Sequence, residues 1–199
     1  MTISTWDTGL YSTSDGTFDA PSEFSVVLIF VGGYGADTPS VWLDGTLLTN
    51  TYGIRYHSTA AIFFEARNVS QGTHSVHVGN FYSSYMRWFV VGLENAQTPL
   101  VDARNDGNEF PDHVRYSIMI PTDGIAICGG GFSSSDGNID SINDYNKYNN
   151  NFAALAEQWT GVSGTFTGYS HGTSCISLVS YSPRPSSKSQ NRVPAILGG

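Results

Sequence analysis

From Phe24 to Val31 the chain reads Phe-Ser-Val-Val-Leu-Ile-Phe-Val and then halts at Gly32-Gly33. A short, nearly continuous apolar run, rich in β-branched residues and bounded by glycines, is a strand covered on both faces, or at least central in a sheet. A run of that kind belongs inside a sheet-built core, and this sets the class of fold before anything else is read.

The next segment, Val41-Trp42-Leu43-Asp44-Gly45-Thr46-Leu47-Leu48, places Asp-Gly between apolar flanks. That is a strong hairpin signal, because both central positions of a type I′ turn need φ > 0. Residues Ile54 to His57 and Ala60 to Ala66 follow. In the second run Ala61, Phe63 and Glu65 share one face and Ala60, Ile62 and Phe64 the other. In His74-Ser75-Val76-His77-Val78 the valines are expected inside and Ser75 and His77 outside. Met86 to Val91 is another apolar strand, and Asn95 to Pro111 reads as a polar connection. Val114 to Ile120 and Ile125 to Cys128 flank the turn Pro121-Thr122-Asp123-Gly124. Val162 to Phe166 and Cys175 to Tyr181 are expected to make the last pair, around a hairpin turn at Gly168–Thr173. About ten strands with turn signals every ~8–12 residues form an all-β pattern.

Gly129 to Asn151 breaks that pattern with a Gly triplet, a Ser triplet and a dense Asn/Asp run, and is expected to be a long surface insertion. After it, Asn151 caps a short helix with Phe152, Leu155 and Trp159 inward, or residues 156–159 form a strand; the residues allow both. The expected architecture is an all-β, antiparallel, jelly-roll-like β-sandwich over residues 1–181. It carries one Asn/Asp-rich insertion, and an extended C-terminal arm covers 182–199.

The 199 residues hold 9 Lys plus Arg against 17 Asp plus Glu. Phosphate backbones and anionic membranes demand clustered cations, so neither nucleic acid nor a membrane surface is an expected partner. No stretch reaches the ~18 apolar residues of a transmembrane helix. The start, Met1-Thr2-Ile3-Ser4-Thr5-Trp6-Asp7, has no basic region followed by an apolar one, so synthesis in a cytoplasm is expected. Cys128 and Cys175 each lie in an apolar run. They read as buried free thiols, or as a cross-strand disulfide if their strands are neighbours with suitable Cβ spacing.

The chemistry-bearing residues do not assemble into a catalytic pattern. Asp136, Asn138, Asp140 and Asp144 alternate oxygen donors and are the best metal candidate, for calcium. The twelve-residue calcium loop needs glycine sixth and glutamate twelfth, where this chain has Ser141 and Lys147. No other cofactor is expected. His74 and His77, three apart on a strand, face opposite sides and cannot chelate together. Ser170, His171 and Ser174 lack a nucleophile elbow, and Glu65, Glu94, Glu109 and Glu157 have nothing in the sequence that pairs them. Phe81, Tyr82 and Tyr85 cluster aromatics suited to a sugar or a protein partner.

The segment from Ser182 onward carries Arg184, Lys188 and Arg192, no acidic residue, and Pro183, Pro185 and Pro194. It is expected to lie extended against another subunit. Those basic side chains would meet acidic groups or carbonyls there, and Val193, Ile196 and Leu197 would supply an apolar plug.

The Phe24–Val31 strand, the Val41–Thr49 hairpin, Ala61–Val69 with Gly72–Val78, Pro121–Ile127 and the closing Gly172–Cys175 into Ser177–Tyr181 together resemble a loose family. It is a group of structural proteins in tailed-phage and prophage genomes, β-sandwich or jelly-roll modules, and the likeness spans Ser25 to Tyr181. The resemblance implies a virion component with no catalytic residues to carry over. The expected function is therefore a non-enzymatic part of a virion, a head decoration or tail component. It would be a homo-oligomer, a trimer by preference, bound to other virion proteins. The alternative is a carbohydrate-binding module that uses Phe81, Tyr82 and Tyr85 on a surface glycan.

Overall fold

The computed structural model describes residues 3–35, 37–82, 84–97, 102–108, 114–134, 138–141, 147–150, 153–159, 163–169 and 173–185. Among these residues there are seventeen strands, paired antiparallel throughout, and no helix. They form four sheets. The first runs β2 (Asp15–Ala20), β8 (Gly72–Gly79), β4 (Ser40–Leu43), β5 (Thr46–Leu47). The second runs β1 (Ser4–Tyr11), β9 (Met86–Glu94), β3 (Phe24–Tyr34), β7 (Thr59–Val69), β6 (Asn50–Tyr56). The third runs β10 (Asp102–Asn108), β17 (Ser174–Tyr181), β12 (Ile125–Phe132), β15 (Ala153–Trp159), β14 (Lys147–Asn150). The fourth runs β11 (Val114–Met119), β16 (Ser163–Tyr169), β13 (Asn138–Ser141).

Three buried clusters fix how these sheets stack. Phe18, Val41, Val76 and Val78 of the first sheet meet Val27, Ile29, Val31, Ile62, Phe64 and Val90 of the second. The opposite face of the second sheet, with Val26, Leu28, Phe30, Phe63, Phe89 and Val91, meets Ile125, Ile127, Cys175, Val179 and Tyr181 of the third. On the far side of the third sheet Ala126, Cys128, Ile176 and Leu178 meet Ile118 and Ile139 of the fourth. The result is a four-layer stack, two sandwiches back to back over a shared middle core.

The expected antiparallel β-sandwich is thus present, and the stacking explains the sequence runs. The two inner sheets bury both faces, so β3 and β12 read as continuous apolar segments. The first sheet buries one face, and β8 alternates, with His74, Val76 and Val78 buried and Ser75 and His77 exposed. The Asp44-Gly45 hairpin forms as read, with φ of 49° and 76° in the two-residue turn between β4 and β5.

Four expectations are corrected. The polar stretch 95–111 contains β10, an edge strand paired along its length with β17. The Gly triplet is not the start of a surface insertion: Gly129–Gly131 lie in β12, paired on both sides. A Cβ at Gly129 would strike the Phe30 ring, and one at Gly131 would strike the Ala60 carbonyl oxygen, so the glycines are there because the inner layers approach too closely for side chains. The rest of the Asn-rich segment supplies β13 and β14. The helix alternative at 151–159 gives way to β15, which pairs with both β12 and β14, whereas so short a helix is marginal by itself because its nucleation is costly. Finally, β16 and β17 do not pair with each other. They belong to the fourth and third layers, so they are not the two arms of one hairpin. No helix among the described residues is long and apolar enough to cross a membrane.

Candidate functional site

The outer face of the first layer carries a depression of about 770 Å³, open to solvent. Strand register builds it. Asp15 of β2 pairs with His77 of β8, His77 with Trp42 of β4, and Trp42 with Leu47 of β5. The four side chains therefore lie in one row across the sheet, from carboxylate through imidazole and indole to an exposed leucine. His77 Nδ1 donates to Asp15 Oδ1 at 2.7 Å, and Ser14 Oγ donates to Asp15 Oδ2 at 2.7 Å. These two bonds, the Ser14 bond first, hold the Asp15 carboxyl below the usual carboxylate range. The Trp42 ring sits 5.2 Å from the His77 ring, tilted by 47°. It also packs over Gly79, where a Cβ would come within 2.8 Å of the indole. Gly16, Thr17, Gly45, Ser75 and Val76 complete the lining.

Behind this face lies a second polar cluster. His74, buried on the inner side of β8, directs Nδ1 to Asp44 Oδ2 at 2.7 Å and Nε2 to the Ser70 carbonyl at 2.8 Å. Both partners are acceptors, so both nitrogens must donate and the ring is an imidazolium. Burial works to lower the His74 pKa, but the Asp44 and Ser70 bonds outweigh it and the value is raised. Burial likewise works to raise Asp44, and the bonds from His74 and Ser75 bring it down. His74 thereby ties the β4–β5 turn to the turn before β8.

The three expected aromatics lie together: Phe81, Tyr82 and Tyr85, with Ser84, line one depression of about 270 Å³. Tyr82 and Tyr85 line a smaller depression of about 200 Å³ with Tyr34, Gly35 and Ser58. Tyr34 and Tyr85 meet edge to face, ring centres 6.0 Å apart and planes at 86°, and the Tyr82 hydroxyl donates to Asp37 at 3.3 Å. Phe81 is partly buried and also packs against the core between the first two layers.

Arg184 is found on its own body. Its backbone N–H donates to the Asn95 carbonyl at 2.6 Å, Nε to the Ala96 carbonyl at 3.3 Å, and its guanidinium to Asn68 Oδ1 at 3.4 Å. Pro183 pairs with Ala96 in an isolated bridge. Lys188, Arg192, Val193, Ile196 and Leu197 lie outside the described residues, as do Asp136 and Asp144. Asn138 and Asp140 lie in β13, paired with Tyr169 and Thr167, not in a loop. Among the described residues no three His, Cys, Asp or Glu side chains gather to hold a metal.

Of the candidate glutamates, Glu65 is buried between the middle layers, where Tyr181 donates to it at 2.6 Å and Arg67 at 2.5 Å. Glu94 accepts from Ser4 at 2.6 Å and from Ser22. Cys128 and Cys175 are both buried and not joined in a disulfide, on opposite faces of the third layer.

Sequence reading placed His77 outward and Trp42 in its hairpin but did not join them to Asp15, because β2 was not recognised. The signal was present in Thr17-Phe18-Asp19-Ala20, whose alternation matches its exposed and buried residues.

No protein-family model matches this chain, and none of the curated proteins does. Among solved structures it is similar to a conserved protein of unknown function from Pseudomonas aeruginosa PAO1, with 92% of this chain aligned to 82% of that one at 11% identity and a TM-score of 0.39. A likeness at that level fixes no property of this chain.

Proposed function

We propose that this chain is a non-enzymatic structural component of a tailed-phage virion, an exposed head decoration or tail part. It assembles as a homo-oligomer, a trimer by preference, with other virion proteins. The observation that supports this reading is the anchor at Arg184. The body grips the chain at Ser182–Arg184 through Gln97, Asn95, Ala96 and Asn68. The following basic and apolar residues, from Lys188 to Leu197, thus start from a fixed point on an acidic body. A segment launched from a fixed point loses less entropy on docking to a neighbour than one hinged freely. A density map of an intact particle tests the proposal: the four-layer body should appear in repeated copies on the outside. Finding the chain absent from purified particles would overturn it.

A second reading, carbohydrate binding in host or surface attachment, is favoured by a specific observation, the open depression built on Trp42. The tyrosine corner supports it less, since edge-to-face rings present no flat platform.

A further inference from the structure

We propose that the outer face of the first layer is a binding site for a neutral saccharide. Trp42 is its stacking platform, and His77, oriented by Asp15, its hydrogen-bonding group. This rests on the carbohydrate-binding reading above and gives it a site and a ligand class.

The match is one of two-sided chemistry. A pyranose ring has a C–H face and a rim of hydroxyls. The row Asp15, His77, Trp42, Leu47 is likewise graded, polar at the β2 edge and apolar at the β5 edge. A sugar lying with its C–H face on the indole has its rim over His77, Thr17 and Ser75, which with Asp15 are the polar side chains of the same depression. The volume of about 770 Å³ lies within the ~300–1,000 Å³ of small-ligand sites. Its open form suits one or two units of a longer chain that continues into solvent.

The groups are also fixed before a ligand arrives. Asp15 engages Nδ1 of His77, so Nε2 is the ring nitrogen left to a hydroxyl. Trp42 is held by the His77 ring beside it and by Gly79 beneath it. Side chains already restricted lose little further entropy on binding.

Charge selects the class of sugar. Asp15 and Asp19 stand on this face of β2, and Asp44 bonds Ser75 at its margin. A sialylated or uronic ligand would meet repulsion there, whereas neutral hydroxyls find acceptors. A protein partner fits less well. A stable protein interface removes about 1,200–2,000 Å² of surface around an apolar centre. Trp42 and Leu47 are the apolar side chains of this row, among Ser, Thr and Asp.

The test uses the full chain on an array of immobilised neutral and sialylated oligosaccharides, followed by titration of the best soluble neutral binder. Wild type should bind neutral saccharides in preference to sialylated ones. Trp42→Ala should weaken binding at least about tenfold, the scale of a hot-spot truncation, and Trp42→Phe should restore part of it. Asp15→Ala, which frees the imidazole without touching the platform, should weaken binding several-fold. Tyr82→Ala and Tyr85→Ala should bind as wild type. If glycans bind but Trp42→Ala is unaffected while Tyr82→Ala or Tyr85→Ala loses affinity, the site is wrong and the carbohydrate reading stands. Preference for sialylated ligands overturns the ligand class. Absence of binding to every glycan overturns both the site and the reading.

Discussion

The Tyr181 hydroxyl donates a 2.6 Å hydrogen bond to Glu65 Oε2, joining the third layer to the second across 116 residues of sequence. Arg67 Nε donates to the other carboxylate oxygen at 2.5 Å. Burial first, and the neighbouring Glu65 charge second, raise the Tyr181 pKa far above its ordinary value, so the phenol remains a donor at any working pH. Tyr181→Phe leaves a buried carboxylate oxygen short of a partner and should cost about 1–3 kcal/mol. Urea unfolding of Tyr181→Phe, Glu65→Gln and the double variant measures the coupling. Strict additivity would show that the bond does not join the layers energetically.

Gly131 faces the Ala60 carbonyl across the middle core, and the obstacle to a side chain there is backbone. Gly131→Ala should destabilise by more than about 3 kcal/mol or fail to give soluble protein, as overpacking does where nothing can rotate away. Gly45→Ala is the control. Its turn meets nothing within 4 Å, so it should cost only the strain of a positive φ, about 1–2 kcal/mol. Equal losses at the two positions would argue against close approach of the layers as the cause.

The His74–Asp44 pair makes stability depend on pH with a defined sign. The folded pKa of His74 is raised, so its contribution is fully present below about pH 6.5 and is lost as pH rises through the folded value. That of Asp44 is lowered, so its contribution is present above about pH 4 and is lost as pH falls through its folded value. Asp44→Asn keeps the turn, since Asn-Gly also accepts type I′ geometry. It should cost on the order of 1 kcal/mol at pH 5.5 and less at pH 8.5, the half-exposed carboxylate limiting the size. Urea midpoints for both proteins at the two pH values check this. A larger cost at pH 8.5 would reverse the assignment.

Where the chain is cut should separate folding from assembly. Truncation after Pro185 keeps the Arg184 anchor, and the body should melt within about 2 °C of the full chain while losing self-association. Truncation after Tyr181 also removes the Ala96, Asn95 and Asn68 contacts and should lower stability measurably. Light scattering and thermal melts distinguish the two effects. Unchanged oligomers after the first cut would remove the assembly role of the arm.

Cys175 is buried, and burial pushes its thiol up to about 12. Cys128 faces the other side of the same sheet, so the two cannot join. Both thiols should be silent to a thiol reagent in native buffer and react fully in denaturant, with no disulfide formed on oxidation of the folded protein.

Local periodicity was enough to place the apolar strands β3, β7, β9, β12 and β17, the Asp44-Gly45 turn and the inward and outward faces of β8. These are properties of single segments: a strand alternates with period two, and a type I′ turn needs residues that accept positive φ. Which face of β3 meets which layer depended on partners far along the chain, since Val26 and Val27 are equally apolar and point oppositely. The glycines of β12 looked like a loop because their reason, the Ala60 carbonyl and the Phe30 ring, lies in other strands. The Asp15–His77–Trp42 row was illegible for the same reason. Its members come from three strands, and cross-strand register, not sequence spacing, brings them within reach.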